Sequence, residues 1–431
     1  MPPLTIRSED TFSMPKIAEL IAVGTELLLG SIANTDAQDI SREMAMLGIH
    51  VYYHTVVGDN PARLKAAVEI ARSRADLIIT TGGLGPTCDD LTKNVLAECF
   101  GRRLVFDEES AERIRARFRD MHDREMTANN LQQAYLPEDC TILSNDWGTA
   151  PGCAWEQDGT TVIMLPGPPR ECRAMLQHRV VPYLKGRLSA GEIFSRTLCI
   201  FGLGESAVED RLRERMLTMT NPTLAPYAKE GSVELRITAR ADTREECEAL
   251  IDPVEAELRV MFGDLIYGVD VKDPAHAACA LLLQHGTTLA TAESCTGGMI
   301  ASRITDIPGI SAVYRGGVVC YTNEVKRDSV GVPQELLDKC GAVSVPVCRA
   351  LAENIRLRLG ADLGISVTGV AGPDPDDRGN PVGRIYVGLS DGTHTWVRTL
   401  DLSSDRGRNR NLACHHAFDL VRRYLTGLSI E

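Results

Sequence analysis

Between residue 17 and about residue 180, short apolar runs alternate with amphipathic stretches of helical period. Residues 18–23 predict a strand. Residues 34–47 then place Ala37, Ile40, Met44 and Leu47 on one face of a helix, and Gly48 offers its stop. A strand over 49–57, a helix over 61–74 and a strand over 76–80 continue the series. Strands separated by amphipathic helices predict a mostly parallel, doubly wound α/β sheet. From about Tyr183 to Gly268 the texture changes. Strands over 197–201 and 232–240, with helices over 205–216 and 244–261, predict a small α+β unit, and residues 268–274 are short and polar enough for a linker. Alternating α/β texture then returns: a helix over 274–284, a strand over 288–291, helices over 299–304 and 347–359, and a strand over 363–368. Two strands flank Asp391-Gly392, and a closing helix runs over 408–425.

A chain of 431 residues is long enough for two or three domains, and 44% hydrophobic residues can fill their cores. The net charge of −13 argues against nucleic-acid binding, which needs a broad basic surface. Thirteen cysteines without a C-x-x-C pair fit reduced thiols in a cytoplasmic protein. Cys414-His415-His416 are adjacent on a helix and diverge, which argues against a metal centre there. No apolar run reaches about 18 residues, so no membrane span is expected. Residues 1–14 lack a signal-peptide core and read as a disordered tail, or as the product of an early start codon ahead of Met14.

The run Ala292-Glu293-Ser294-Cys295-Thr296-Gly297-Gly298 hands a serine from a strand to a glycine pair at a helix start. Such a turn exposes the hydroxyl beside free backbone N–H groups, although taken alone it reads first as ordinary capping chemistry. Its neighbours are Pro308-Gly309-Ile310-Ser311, the stretch 316–323 ending Cys320-Tyr321-Thr322-Asn323, Lys326, and the stretch 366–373 from Ser366 to Pro373. With these motifs in order, the chain from about Asp273 onward resembles the C-terminal domain of the competence/damage-inducible CinA family, the nicotinamide mononucleotide (NMN) amidohydrolases.

Amide hydrolysis without a metal needs a nucleophile, a base and oxyanion donors. His276, His285, His394, His415 and His416 lie outside the motif runs, which leaves a Ser-Lys pairing. Lys326 must then be neutral, as burial can make it. Ser294 and Ser311 compete for the nucleophile, and the sequence does not separate them. The reading favoured here gives the role to Ser311 with Lys326 as base, and leaves Ser294, Gly297 and Gly298 to bind substrate. Tyr321, Thr368 and Arg408 occupy motif positions that complete the pocket, and no cofactor is expected. The family's glycine-rich stretch is replaced by the acidic residues 374–380, a loop expected to turn outward.

In the first segment the strand over 76–80 ends in Thr81-Gly82-Gly83-Leu84-Gly85-Pro86-Thr87, followed by Asp89-Asp90-Leu91-Thr92-Lys93. Glycines let a backbone approach phosphate, and paired carboxylates suit a divalent cation bridging pyrophosphate oxygens. No G-x-x-x-x-G-K-[ST] loop occurs. The stretch resembles the molybdopterin-binding (MoCF) fold carried by the CinA N-terminal domain, with support from the stretches 23–30, 34–38 and 165–171. That resemblance implies a metal-dependent ADP-ribose pyrophosphatase over 15–180. Asp89, Asp90 and Lys93 would be its hydrolytic cluster, Asp89 and Asp90 would hold Mg²⁺ or Co²⁺, and Gly24, Glu26, Asn34, Gly82, Gly83, Gly85, Thr87 and Gly167 would line its site. Molybdopterin binding stays open as an alternative, as does a non-enzymatic competence-associated binding role for the whole protein.

Gly202-Leu203-Gly204-Glu205-Ser206-Ala207 imitates a dinucleotide fingerprint. Glu205 would sit against the pyrophosphate, however, and the acidic ribose contact about 20 residues on is missing. The segment 181–268 resembles the KH-like middle domain of full-length CinA proteins, without a G-x-x-G loop, which implies a spacer or dimerisation role. Residues 269–431 form the amidohydrolase domain in this reading. The expected partners are NMN and ADP-ribose as substrates and a second copy in a homodimer.

Overall fold

The computed structural model describes residues 17–120, 126–186, 192–403 and 405–430; the tail expected over 1–14 lies outside the described residues. The chain divides into two compact units, Met1–Ile193 with Ala241–Arg244, and Phe194–Arg240 with Glu245–Glu431. In chain order the strands of the first unit are β1 (Ile17–Val23), β2 (His50–Val57), β3 (Leu77–Thr81), β4 (Leu104–Phe106), β5 (Tyr135–Pro137), β6 (Thr141–Leu143), β7 (Gly152–Gln157) and β8 (Thr160–Leu165). Six of them form one sheet in the order β2-β1-β3-β8-β7-β6, with β2, β1, β3 and β8 parallel and β7 and β6 antiparallel.

Its central strands are buried on both faces, as parallel strands covered by helices must be. Successive residues of β3 feed opposite cores. Leu77 and Ile79 join Ile40 and Met44 of helix Thr35–Met46 on one face, while Ile78 joins Leu64 and Val68 of helix Pro61–Arg72 on the other. The doubly wound sheet expected from the alternating pattern is present.

The second unit carries β9 (Glu192–Phe201), β10 (Thr223–Lys229), β11 (Ser232–Ala241), β12 (Ile266–Val269), β13 (Leu289–Glu293), β14 (Tyr314–Val319), β15 (Leu363–Gly369), β16 (Arg384–Ser390) and β17 (Thr395–Asp401). A four-stranded sheet runs β10-β11-β9-β12, and a five-stranded sheet runs β14-β13-β15-β16-β17. In the latter, β14, β13 and β15 are parallel, and β16 and β17 are antiparallel additions.

The expected linker over 268–274 is not a free connection. Gly268 and Val269 pair with Cys199 and Leu198 in β12–β9, Asp270 N–H donates to Thr197 O at 2.8 Å, and Asp273 caps helix Pro274–His285 through His276 N–H. Cys199, Phe201, Tyr267 and Ala277 share one small core across this stretch. The Arg422 guanidinium, in the closing helix Arg406–Leu425, donates to Asp264 O at 2.9 Å and Ile266 O at 3.4 Å. Polar linker composition here marks surface turns within one packed unit.

Candidate active sites and family

The last residue of β13 is Glu293, and Ser294 follows it at the carboxyl edge of the sheet, 8% exposed, its N–H bonded to Val367 O. Gly297 and Gly298 have φ of 62° and 91°, left-handed values that glycine adopts without strain, and helix Met299–Thr305 begins at once. Parallel pairing of Glu293 with Val319 brings the start of the next segment, Cys320, to the same edge. That register sets Lys326, in helix Asn323–Asp328, beneath the serine.

Lys326 Nζ lies 3.1 Å from Ser294 Oγ, 2.8 Å from Cys320 O and 3.4 Å from Tyr321 O. The side chain is 1% exposed. Burial lowers its pKa from the usual lysine value, because desolvation penalises the ammonium. A neutral amine has two N–H groups for the two carbonyls and one lone pair for the serine hydroxyl. The arrangement can therefore abstract the Ser294 proton.

Ser311 sits in the turn Ile310–Ala312, is exposed, and makes no hydrogen bond to Lys326. The structure thus brings Ser294, and not the favoured Ser311, within hydrogen-bond distance of Lys326. Thr368 is fully buried, and its hydroxyl is committed to Ala342 O at 2.8 Å. Arg408 is exposed and lines an open cleft with Glu230, Met299, Arg303 and Asn411.

Two arginines on the same helix turn towards the serine instead. Arg406 donates to Tyr321 Oη at 3.0 Å and to Gly372 O, and Arg410 donates to Cys295 O at 3.0 Å and Thr296 O at 2.7 Å. Residues 406 and 410 are one turn apart and share a face, whereas 408 points away from it. That spacing was available in the sequence; the choice of face was not. In the loop 374–380, Asp374 and Asp377 are exposed, and Asp376 is spent on Asn380 N–H.

In the first unit β3 ends at Thr81, and Gly82 and Gly83 follow with φ of 89° and 66°. A Cβ at Gly82 would collide with Val23 O, and one at Gly83 with Thr92 Oγ1. Gly82 N–H donates to Leu165 O at 3.1 Å, and a Cβ on Gly167 would stand 3.2 Å from Gly82 Cα, so the two loops pack backbone to backbone. Gly85 passes the Asp90 carboxylate, which accepts from Thr87 N–H at 2.8 Å and from the Thr87 hydroxyl.

Asp89 is exposed and Asp90 half-buried. Among the described residues no group of three or more His, Cys, Asp or Glu side chains converges as a metal cage. Two carboxylates beside a glycine loop nevertheless fit an ion that takes its remaining ligands from phosphate and water. Lys93 is 5% exposed and donates to Gln132 O at 2.8 Å, and burial lowers its pKa to about 8. Glu26 is exposed and curls over Gly24, while Asn34 Oδ1 caps helix Thr35–Met46 through Ala37 N–H.

Most of the chain matches known proteins. Residues 272–425 match the family described as "CinA C-terminal domain", residues 195–268 the "Damage-inducible protein CinA KH domain", and residues 19–186 the "Probable molybdopterin binding domain". A CinA-like protein of Dictyoglomus turgidum is 47% identical over 410 residues, covering 95% of this chain and 99% of that one. The CinA-like protein of Kosmotoga olearia is 46% identical over 411 residues, with the same two coverages. The chain belongs to the CinA family. A solved CinA protein of unknown function from Thermoplasma acidophilum is 34% identical, covering 40% of this chain and 98% of that one, at a TM-score of 0.36.

Within the CinA architecture one further group stands out that sequence reasoning passed over. Asp36 is 7% exposed, its Oδ1 has no hydrogen-bond partner, and burial raises its pKa to about 6, with Asp39 adding to the rise. In the sequence it entered only as part of the stretch 34–38 that supports the MoCF resemblance. No helix among the described residues is long and apolar enough to cross a membrane.

Proposed function

We propose that the second unit hydrolyses the carboxamide of NMN to nicotinic acid mononucleotide and ammonia, with Ser294 as nucleophile and Lys326 as its base. The observation that carries this reading is the buried Lys326 amine, 3.1 Å from Ser294 Oγ. Neutral Lys326 takes the Ser294 proton as Oγ bonds to the amide carbon. The resulting ammonium returns that proton to the leaving nitrogen as the C–N bond breaks, and water then hydrolyses the ester. Among the described residues the amide of Gly298 has no backbone acceptor and its residue is partly exposed, which suits it to the oxyanion. NMN as substrate rests on the family resemblance. Ammonia release from NMN by the purified protein, lost in Ser294→Ala and in Lys326→Met, tests it.

The first unit is read as a metal-dependent pyrophosphatase splitting ADP-ribose into AMP and ribose 5-phosphate. Asp89 and Asp90 would hold Mg²⁺ or Co²⁺, which supplies charge stabilisation on a bridging pyrophosphate oxygen. The Gly82–Gly85 loop would seat the phosphates. The match of 19–186 to a molybdopterin-binding model supports a second reading for this unit, a pterin-binding module. Titration with molybdopterin against ADP-ribose turnover separates the two.

A further inference from the structure

Glu293 is 1% exposed and directly precedes the serine. Its Oε2 accepts Ile300 N–H at 3.0 Å and its Oε1 accepts Ala301 N–H at 2.8 Å. Both oxygens of a buried carboxylate are thus spent on the first turn of helix Met299–Thr305, where backbone donors have no helical partner. Such charge-assisted bonds to first-turn amides also sit at the favourable end of the helix dipole. They remove these two donors from any substrate anion, so this helix start is already occupied from within the chain.

The main chain of Glu293 is tied as firmly. Its carbonyl accepts Cys320 N–H at 2.8 Å, at the head of the segment that carries Lys326. The five residues 294–298 therefore form a loop closed at one end by the β13 backbone and at the other by the Glu293 side chain. A Cβ on Gly298 would meet Val319 at 3.3 Å, and Arg410 holds the Cys295 and Thr296 carbonyls.

We propose that Glu293 is a positioning residue: its carboxylate clamps the Ser294–Gly298 turn so that Ser294 Oγ is held against Lys326 Nζ. The inference rests on the Ser294–Lys326 reading. Glutamine has a single acceptor oxygen and would turn an N–H towards one helix amide, so it closes only half of the clamp. Misplacement of a reacting atom by about 1 Å can cost on the order of a hundredfold in rate.

The test compares wild type, Glu293→Gln and Glu293→Asp, the last keeping the charge without the reach to both amides. Three readouts are taken: ammonia release from NMN, the rate of Ser294 acylation by p-nitrophenyl acetate with release of p-nitrophenolate, and amide hydrogen exchange over residues 299–302. Both variants should lose about ten- to a hundredfold in kcat with KM within about twofold, since the interaction orients the nucleophile rather than holding substrate. Acylation should slow in parallel, and exchange over 299–302 should rise. Unchanged kcat and acylation in a folded variant would overturn the clamp, as would a loss confined to KM. If wild type releases no ammonia from NMN, the substrate reading falls, while acylation and exchange still decide whether Glu293 positions Ser294. Should Glu293→Gln fail to fold, Glu293→Asp carries the same comparison.

Discussion

A buried lysine amine is costly as a charge and useful as a base, and Lys326 shows both sides. With its pKa lowered by burial, the native state binds fewer protons than the unfolded chain between that lowered value and the ordinary 10.5. Stability from this group therefore rises with pH through that window. Deamidation should rise with pH over the same titration, because only the neutral amine accepts the Ser294 proton, and a pH profile of kcat/KM checks the acid limb. Lys326→Met should abolish ammonia release while leaving the melting temperature equal or higher, since an apolar side chain removes the burial penalty. Ser294→Ala should cost more than about 10³-fold, and Ser311→Ala should leave kcat/KM within about twofold because the exposed Ser311 hydroxyl does not touch Lys326. A tenfold loss in Ser311→Ala with full activity in Ser294→Ala would reverse the assignment.

Asp36 runs in the opposite sense. Burial raises its folded pKa to about 6, above the ordinary aspartate value, so the native state holds the extra proton, and stability is gained as pH falls from about 7 towards 4. Asp36→Asn should flatten that dependence and stabilise the protein at neutral pH by about 1–2 kcal/mol. Thermal melts of both proteins at pH 5 and 7.5 check it; an identical pH dependence would remove Asp36 as the cause.

At the scale of elements, the long periodic helices were legible and the short or interrupted strands were not. The helix read over 347–359 is Val345–Leu359, and the closing helix read over 408–425 is Arg406–Leu425. β10 contains Pro226 and β14 contains Gly316-Gly317, residues that weaken a strand pattern, and β4 and β5 are three residues long. The site was legible as a set of residue types. What the sequence lacked was register: whether Ser294 or Ser311 meets Lys326 depends on Glu293 lying opposite Val319 in a parallel pair. Likewise, which arginine of 406, 408 and 410 faces the turn depends on how the closing helix is rotated. The glycine loop in the first unit is held to tighter tolerance than its sequence suggests. Gly82→Ala should destabilise by about 1–3 kcal/mol, through both its positive φ and the contact with Val23 O, and a denaturant melt showing no change would contradict it.

At the scale of the whole molecule, the two proposed chemistries would sit on separate sheets in separate compact units. Asp89→Asn should remove metal-dependent ADP-ribose cleavage and leave ammonia release from NMN level. EDTA followed by Mg²⁺ or Co²⁺ should switch only the former off and on, because an amide oxyanion can be held by backbone donors alone. Loss of deamidation on chelation, in a protein that stays folded, would point to an overlooked metal in the second unit.

The guanidinium of Arg422, anchored on the carbonyls of Asp264 and Ile266, has a consequence for anyone who trims or transplants this protein. A fragment beginning at Pro274 would strip Phe201 from His415 and His416, uncover Ala277, and leave a buried arginine facing water where two carbonyls had been. The half that carries Ser294 and Lys326 therefore travels with its neighbour: a portable version needs either the four-stranded sheet as baggage or a new polar skin on the outer face of the closing helix.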